Sequence, residues 1–236
     1  MNIDYLNFCP RLKDIFMSGF SINSKGEKIR AGGFSTFNNI IVIREILKKM
    51  KPNRTLEIGL AYGASTLTIL TTLKEIFSEG FLHTAIDPFE NIVWKGSALR
   101  VIEEEGYSEH FRFFEYFSSL KLASLVKEKE KFDFIYVDGS HLFEDVFLDF
   151  YYSVSLLNKN GIVLFDDCTN KHIEKVIKFI IKNYSSILKP LDIRPFEDKK
   201  KSIKKKIANK LGIRQLVGFK KISEPPRKWN SKFRNF

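Results

Sequence analysis

The stretch Arg54-Thr-Leu-Glu-Ile-Gly-Leu-Ala-Tyr-Gly-Ala-Ser-Thr66 leaves few folds open to this chain. Thr55, Leu56 and Ile58 read as a short buried strand, which Gly59 and Gly63 break. From Ala64 to Phe77, Leu67, Leu70, Thr71 and Ile76 recur at helical spacing. A strand, a glycine turn and a helix N-terminus thus follow one another. That order sets free backbone N–H groups and the positive end of a helix dipole against a ligand. Gly59 lets the ligand approach the backbone, and Gly63 lets helix and strand pack closely. A dinucleotide fingerprint would need Gly-x-Gly-x-x-Gly, but Ala61 stands where its second glycine belongs. Glu57 adds a carboxylate at the strand end. Beside a helix N-terminus, it suits a ligand carrying both a cation and a carboxylate, such as an amino acid moiety.

The alternation of strands and helices continues, as a doubly wound parallel α/β sheet requires. Phe81 to Asp87 reads as a second strand ending in an acid, where such sheets hydrogen-bond ribose hydroxyls; a solvated turn acid before Pro88 is the plainer reading. Trp94 covers an adenine or a substrate, or simply fills core. Ser97 to Glu105 is a charged helix, Phe111 to Glu115 a third strand, and Ser118 to Glu128 a further helix. Phe132 to Val137 is a near-continuous apolar run, expected of a central strand buried on both faces. Asp138 ends it. Leu142 to Leu157 is helical, Asn158 to Gly161 turns the chain, and Ile162 to Phe165 is a fifth strand ending in Asp166-Asp167.

Asp138, Asp166 and Asp167 thereby fall at the same edges of two strands expected to be neighbours. Three like charges in one cleft repel one another and resist ionisation together. A divalent cation removes that conflict, and all-oxygen donors with open positions suit Mg²⁺, or less selectively Mn²⁺ and Ca²⁺. The alternative is that only one or two line the cofactor pocket and the others cap the following helix.

With these residues in view, the chain resembles class I S-adenosylmethionine-dependent methyltransferases, whose first motif is acidic-x-Gly-x-x-x-Gly. More narrowly it is similar to the metal-dependent O-methyltransferases, of the catechol and the macrocin and sugar types. Val137-Asp-Gly-Ser-His141 and Asp166-Asp167 carry that likeness, which spans about Thr36 to Lys182. It implies a Rossmann-like seven-stranded sheet, mostly parallel, with strand seven antiparallel. It implies S-adenosylmethionine as donor, seated by Glu57, Gly59, Ala61, Gly63, Ser65, Asp87 and Asp138, with the adenine near Glu115 to Ser118. It also implies a metal on Asp138, Asp166 and Asp167, with Asp138 among the catalytic residues; separately, a neutral His141 can accept the acceptor's proton as catalytic base. In the catechol type a lysine stands where His141 stands here. His141 can instead be a helix-start residue bonded to backbone, and His172 is the rival base. The chemistry expected is deprotonation of a hydroxyl and in-line attack on a sulfonium methyl, aided by a cation.

The remaining segments are read from pattern and charge. Ser35 or Thr36 caps a helix running to about Met50, packed on the sheet or serving as a lid hinged at Gly32-Gly33. His172 to Tyr184 is a helix; Ile187 to Ile193 and Leu216 to Ile222 are strands six and seven. The chain is expected to be a single domain over 1–236, with an N-terminal helical or lid segment at 1–50, a basic helical insertion at 198–212 and a loose tail or inter-subunit arm at 224–236. Lys189–Phe236 holds 16 basic and 4 acidic residues, so the formal net charge of +11 belongs there; the first 188 residues hold 23 and 24. Within 199–211, Ile203, Ile207 and Leu211 repeat on one face of a basic helix. It either packs as a solvated helix or meets a nucleic acid, an anionic membrane surface or an acidic partner.

The partner expected first is a small hydroxylated acceptor, a sugar or a phenol, with a homo-oligomer as a further contact. A nucleic-acid methyltransferase or RNA binder is the alternative, disfavoured because no aromatic stacking stripe interleaves the basic residues. A cofactor-binding module without turnover is the third reading. Met1 to Pro10 lacks the features of a secretory signal, and Cys9 and Cys168 lack metal-site spacing, so a reduced cytoplasm is expected.

Overall fold

The computed structural model describes residues 3–33, 35–198, 214–224 and 227–236. The basic segment 199–211 therefore lies outside the described residues. The chain divides into two compact units, Met1–Phe117 with Phe196–Asp198 and Ser118–Pro195 with Lys199–Phe236.

In the first unit a short 3-10 segment, Ile3–Phe8, leads into α1 (Pro10–Ser18), followed by the hairpin β1 (Phe20–Ile22) and β2 (Lys28–Arg30). Then come α2 (Phe37–Met50), β3 (Arg54–Ile58), α3 (Ala64–Phe77), β4 (Leu82–Ile86), α4 (Ser97–Glu104) and β5 (Phe111–Phe114). β3, β4 and β5 pair in parallel. The Thr36 hydroxyl caps α2 by accepting from the Asn39 N–H at 3.3 Å. Ile40, Ile43 and Leu47 of α2 are fully buried, and so is Val42. Arg44, 8% exposed, ion-pairs with Glu75 of α3 at 2.8 Å and stacks over the Phe8 ring. The helix thus contributes to the core of this unit, each such buried side chain being worth roughly 1.5–3 kcal/mol. α1 adds Leu12 and Ile15 to a cluster with Leu6, Cys9, Ile40, Leu67 and Val101.

The second unit holds α5 (Ser118–Lys127), β6 (Phe132–Val137), α6 (Phe143–Leu156), β7 (Leu157–Phe165), α7 (Lys171–Asn183), β8 (Leu188–Leu191) and β9 (Val217–Lys221). β6 and β7 are parallel, with Val137 opposite Phe165; β9 runs antiparallel to both β7 and β8. Phe132, Phe134, Ile135, Tyr136 and Val137 are all buried, as a central strand demands. The turn expected at Asn158–Gly161 is instead absorbed into β7. Phe132 pairs with Leu157 and Phe134 with Ile162, so the extra residues bulge out of the ladder. The Asn158 side-chain amide donates to Asp133 at 2.9 Å and holds the bulge in place. Seven strands make one sheet in the order β5-β4-β3-β6-β7-β9-β8.

The C-terminal residues also depart from expectation. Residues 227–236 lie against the end of α7 of their own chain. The Asn183 side chain donates to the Arg234 carbonyl at 2.8 Å and accepts from the Arg234 N–H at 2.9 Å. Phe233 and Phe236 pack on Phe179. Among the described residues, no helix is long and apolar enough to cross a membrane.

Candidate active site

In the first unit the glycine turn sits between β3 and α3. Gly59 and Gly63 have φ of +92° and +75°, a region that L side chains enter only with strain. A Cβ on Gly63 would also come within 3.1 Å of the Ala98 Cβ. Ala61 takes φ +46° without being a glycine. Asp87, at the end of β4, ties the turn shut: its Oδ2 accepts from the N–H groups of Leu60 (2.9 Å) and Ala61 (3.1 Å), and its Oδ1 from Phe89 (2.8 Å). Two amides expected to face a ligand are therefore committed to this carboxylate. Gly63 leaves the N-terminus of α3 without a side-chain cap, and Ser65 lies buried in its first turn.

Glu57 is fully buried. Its Oε2 accepts the Thr66 hydroxyl at 2.5 Å and lies 3.0 Å from His83 Nε2; the other His83 nitrogen meets Thr55 at 2.8 Å. Its Oε1 is buried with no hydrogen-bond partner among the described residues. Trp94 packs edge-on against Tyr62, 5.2 Å between centroids. Glu115 accepts from the backbone and side chain of Asn91.

Glu90 was not singled out by the sequence. Fully buried, it caps α4 by accepting from the N–H groups of Ala98 (2.9 Å) and Leu99 (3.3 Å). Burial pushes its pKa up to about 7; the two amides pull it down, while Asp87 and Glu115 add to the rise. An acid seven residues before a helix start carries no capping signature in sequence, since the usual cap lies next to the helix.

In the second unit, the carboxyl ends of β6 and β7 bring Asp138, His141 and Asp167 together, with one potential ligand atom from each lying within 4.8 Å of the others. His141 Nε2 is 2.8 Å from Asp167 Oδ2. Asp166 stands beside this group instead of within it. One Asp166 oxygen accepts the Tyr136 hydroxyl at 2.6 Å; the other accepts from the Gln215 side chain at 3.2 Å and from the Asp167 N–H at 2.7 Å. The Tyr136 hydroxyl also lies 3.2 Å from Asp138. Gln215 further donates to Asp167, and its own oxygen accepts the Thr169 hydroxyl at 3.1 Å. Asp167 adopts φ +50°, a strained turn for a non-glycine. The neighbouring Cys168 thiol is pushed well above its ordinary pKa by burial, then by Asp166, Asp167 and Asp138, which registers the negative potential of this rim. His172, the rival base, instead accepts the Phe143 N–H on Nδ1 at 3.2 Å.

Tyr136 had a sequence signal, a hydroxyl within an apolar strand two residues before Asp138. Gln215 had none, because it arrives from the distant segment before β9.

A sheet in this strand order, with its glycine turn between β3 and α3, has the architecture of class I methyltransferases. Residues 56–168 match the family model described as a methyltransferase domain. No curated protein matches the chain. Among solved structures, it is similar to the O-methyltransferase from Bacillus cereus in complex with SAH, at 13% identity and TM-score 0.62, covering 93% of this chain and 96% of that one. It is similar also to SAH-bound PaMTH1 of Podospora anserina, at 14% identity and TM-score 0.59, covering 80% of each chain. A third is TomG from Streptomyces achromogenes, in complex with SAM, at 12% identity and TM-score 0.56, covering 80% of this chain and 82% of that one.

Proposed function

We propose that this chain is an O-methyltransferase that moves the methyl group of S-adenosylmethionine to a hydroxyl of a small acceptor, a sugar or a phenol, with help from a divalent cation. The convergence of Asp138, His141 and Asp167 at the ends of β6 and β7 carries this reading. The structures it resembles bear on the donor: two are described with SAH and one with SAM.

The donor, when bound, supplies an electrophilic sulfonium methyl. The residues of the first unit fit it. The buried, unpartnered Glu57 oxygen can take a cationic group, the open helix start at Gly63 to Ser65 favours an anionic one, and Asp87 has acceptor capacity left for a hydroxyl. Gly59 and Ala61 shape the turn so that its backbone can be approached.

The donor set Asp138, His141 and Asp167 fits a cation, since each carboxylate oxygen has lone-pair capacity beyond its present hydrogen bond. A cation held there supplies Lewis acidity that lowers the pKa of an acceptor hydroxyl. Asp138 and Asp167 are its holders in this reading. Asp166 is the support that orients Asp167 through Gln215 and Asp138 through Tyr136. A set of two carboxylates suits Mg²⁺ or Mn²⁺; direct ligation by His141 would favour Mn²⁺ over Mg²⁺. His141 is the base: a proton on Nε2 shared with Asp167 leaves Nδ1 as the acceptor for the hydroxyl proton.

The test is methyl transfer from isotope-labelled S-adenosylmethionine to phenol and sugar panels, read by mass spectrometry with Mg²⁺, Mn²⁺ or chelator. Turnover should need the metal. Asp167→Asn and Asp138→Asn should each lose about two orders of magnitude of kcat. His141→Gln should lose the acid limb of the pH–rate profile, where protonation removes a base. Full activity of Asp167→Asn, or in chelator, would remove the metal-assisted mechanism.

A further inference from the structure

Beyond the reaction centre, the second unit contains a basic cleft that the methyltransferase reading does not use. Its volume is about 460 Å³. One wall is the end of α7 and the turn after it, with Lys182, Ser185 and Ser186; the other is the C-terminal segment, with Arg227, Lys228, Lys232 and Arg234. Five basic residues therefore line one hollow whose lining contains no acidic residue. Among the described residues, none of the five forms an ion pair.

The second wall is fixed. The Asn183–Arg234 amide pair ties the segment to α7, Phe233 and Phe236 rest on Phe179, and the Arg227 guanidinium stacks 5.3 Å from the Tyr184 ring. Arg227 also donates to the Lys232 carbonyl at 3.2 Å. Like charges held around one hollow repel, and water screens exposed ones only in part. A ligand with several negative charges would turn that repulsion into attraction. Guanidinium groups and serine hydroxyls are donors matched to phosphoryl oxygens. The plain alternative is that Lys182 simply complements the negative end of α7. That accounts for one cation but not for four more on the opposite wall.

We propose that this cleft binds a small anion carrying two or more phosphoryl groups. The volume falls in the range of small-molecule sites, so the ligand is a free polyphosphate or a phosphorylated metabolite such as a nucleoside diphosphate.

The experiment is isothermal titration of the full chain with inorganic tripolyphosphate and, separately, with a nucleoside diphosphate. Wild type should bind one equivalent saturably, with affinity falling steeply as NaCl is raised. Lys182→Gln with Lys232→Gln should weaken binding at least about tenfold, roughly what losing two exposed charge-assisted contacts implies. A second variant, Arg227→Lys, keeps the charge but loses the planar fork, and should weaken binding severalfold. Tighter binding of the nucleoside diphosphate would point to a metabolite, and equal binding to bare polyphosphate; both support the site. Absence of saturable binding to either probe, or affinity unchanged in the double variant while both proteins melt together, overturns it.

Discussion

Asp87 does two jobs with one carboxylate. It closes the glycine turn through the Leu60 and Ala61 N–H groups while also accepting from Phe89, and in the proposed function it receives a ribose hydroxyl as well. A bound donor must therefore share this side chain with the loop. Glu90 is the other residue whose charge state matters. Its folded pKa of about 7 lies above the ordinary 4.5, because burial disfavours the anion. Folding thus favours the protonated form. The stability tied to it is fully present below the unfolded value and is lost as pH rises through about 7. Glu90→Gln, which cannot ionise, should melt higher than wild type at about pH 8 and lose that advantage at about pH 5, a difference on the order of 1 kcal/mol. Melting curves across pH check this. A constant difference at every pH would mean that packing, not charge, is what Glu90 contributes. Asp149, 1% exposed and also pushed up to about 7, adds to the same slope in wild type and should leave part of it in the variant.

At the scale of elements, the clasp between α7 and the C-terminal segment is the most exposed to a single change. Asn183→Ala removes both hydrogen bonds to Arg234 at once. Limited proteolysis should then cut within 227–236 faster while the rest of the chain resists; equal rates would show that Phe233 and Phe236 hold the segment unaided. What the sequence disclosed about elements follows from length and punctuation. α3 was legible to the residue, since Gly63 starts it and its apolar spacing runs for four turns. β6 was legible because a near-continuous apolar run, interrupted only by Asp133, ends in an acid. The hairpin β1–β2 was not, since strands of three residues show no period. Nor was the bulge in β7, because Asn158-Lys-Asn-Gly161 has turn composition whichever way the ladder continues. The same logic applies to the candidate site. Asp138, His141 and Asp167 follow apolar strands and were visible, whereas Asp166 was expected in the ligand set and turns instead to Tyr136 and Gln215, the latter supplied from far along the chain.

For the whole molecule, the motif order and the sheet order agree, and the proposed chemistry assigns donor binding to the first unit and hydroxyl activation to the second. That division is measurable. S-adenosylhomocysteine at a hundred times its Kd should stabilise the chain by about 2.7 kcal/mol. The thermal shift should be the same in chelator and in Asp167→Asn, while methyl transfer disappears. A shift that vanishes with the metal would place the donor and the cation in one linked equilibrium. Beneath the turn, finally, Thr66, Glu57, His83 and Thr55 form a chain of side chains joining the first turn of α3 to β3 and β4. A mutational screen scored on cofactor retention would rank His83 with the binding residues, although its imidazole is sealed from solvent. The floor of a site can fail as a contact would, and only a structure distinguishes the two.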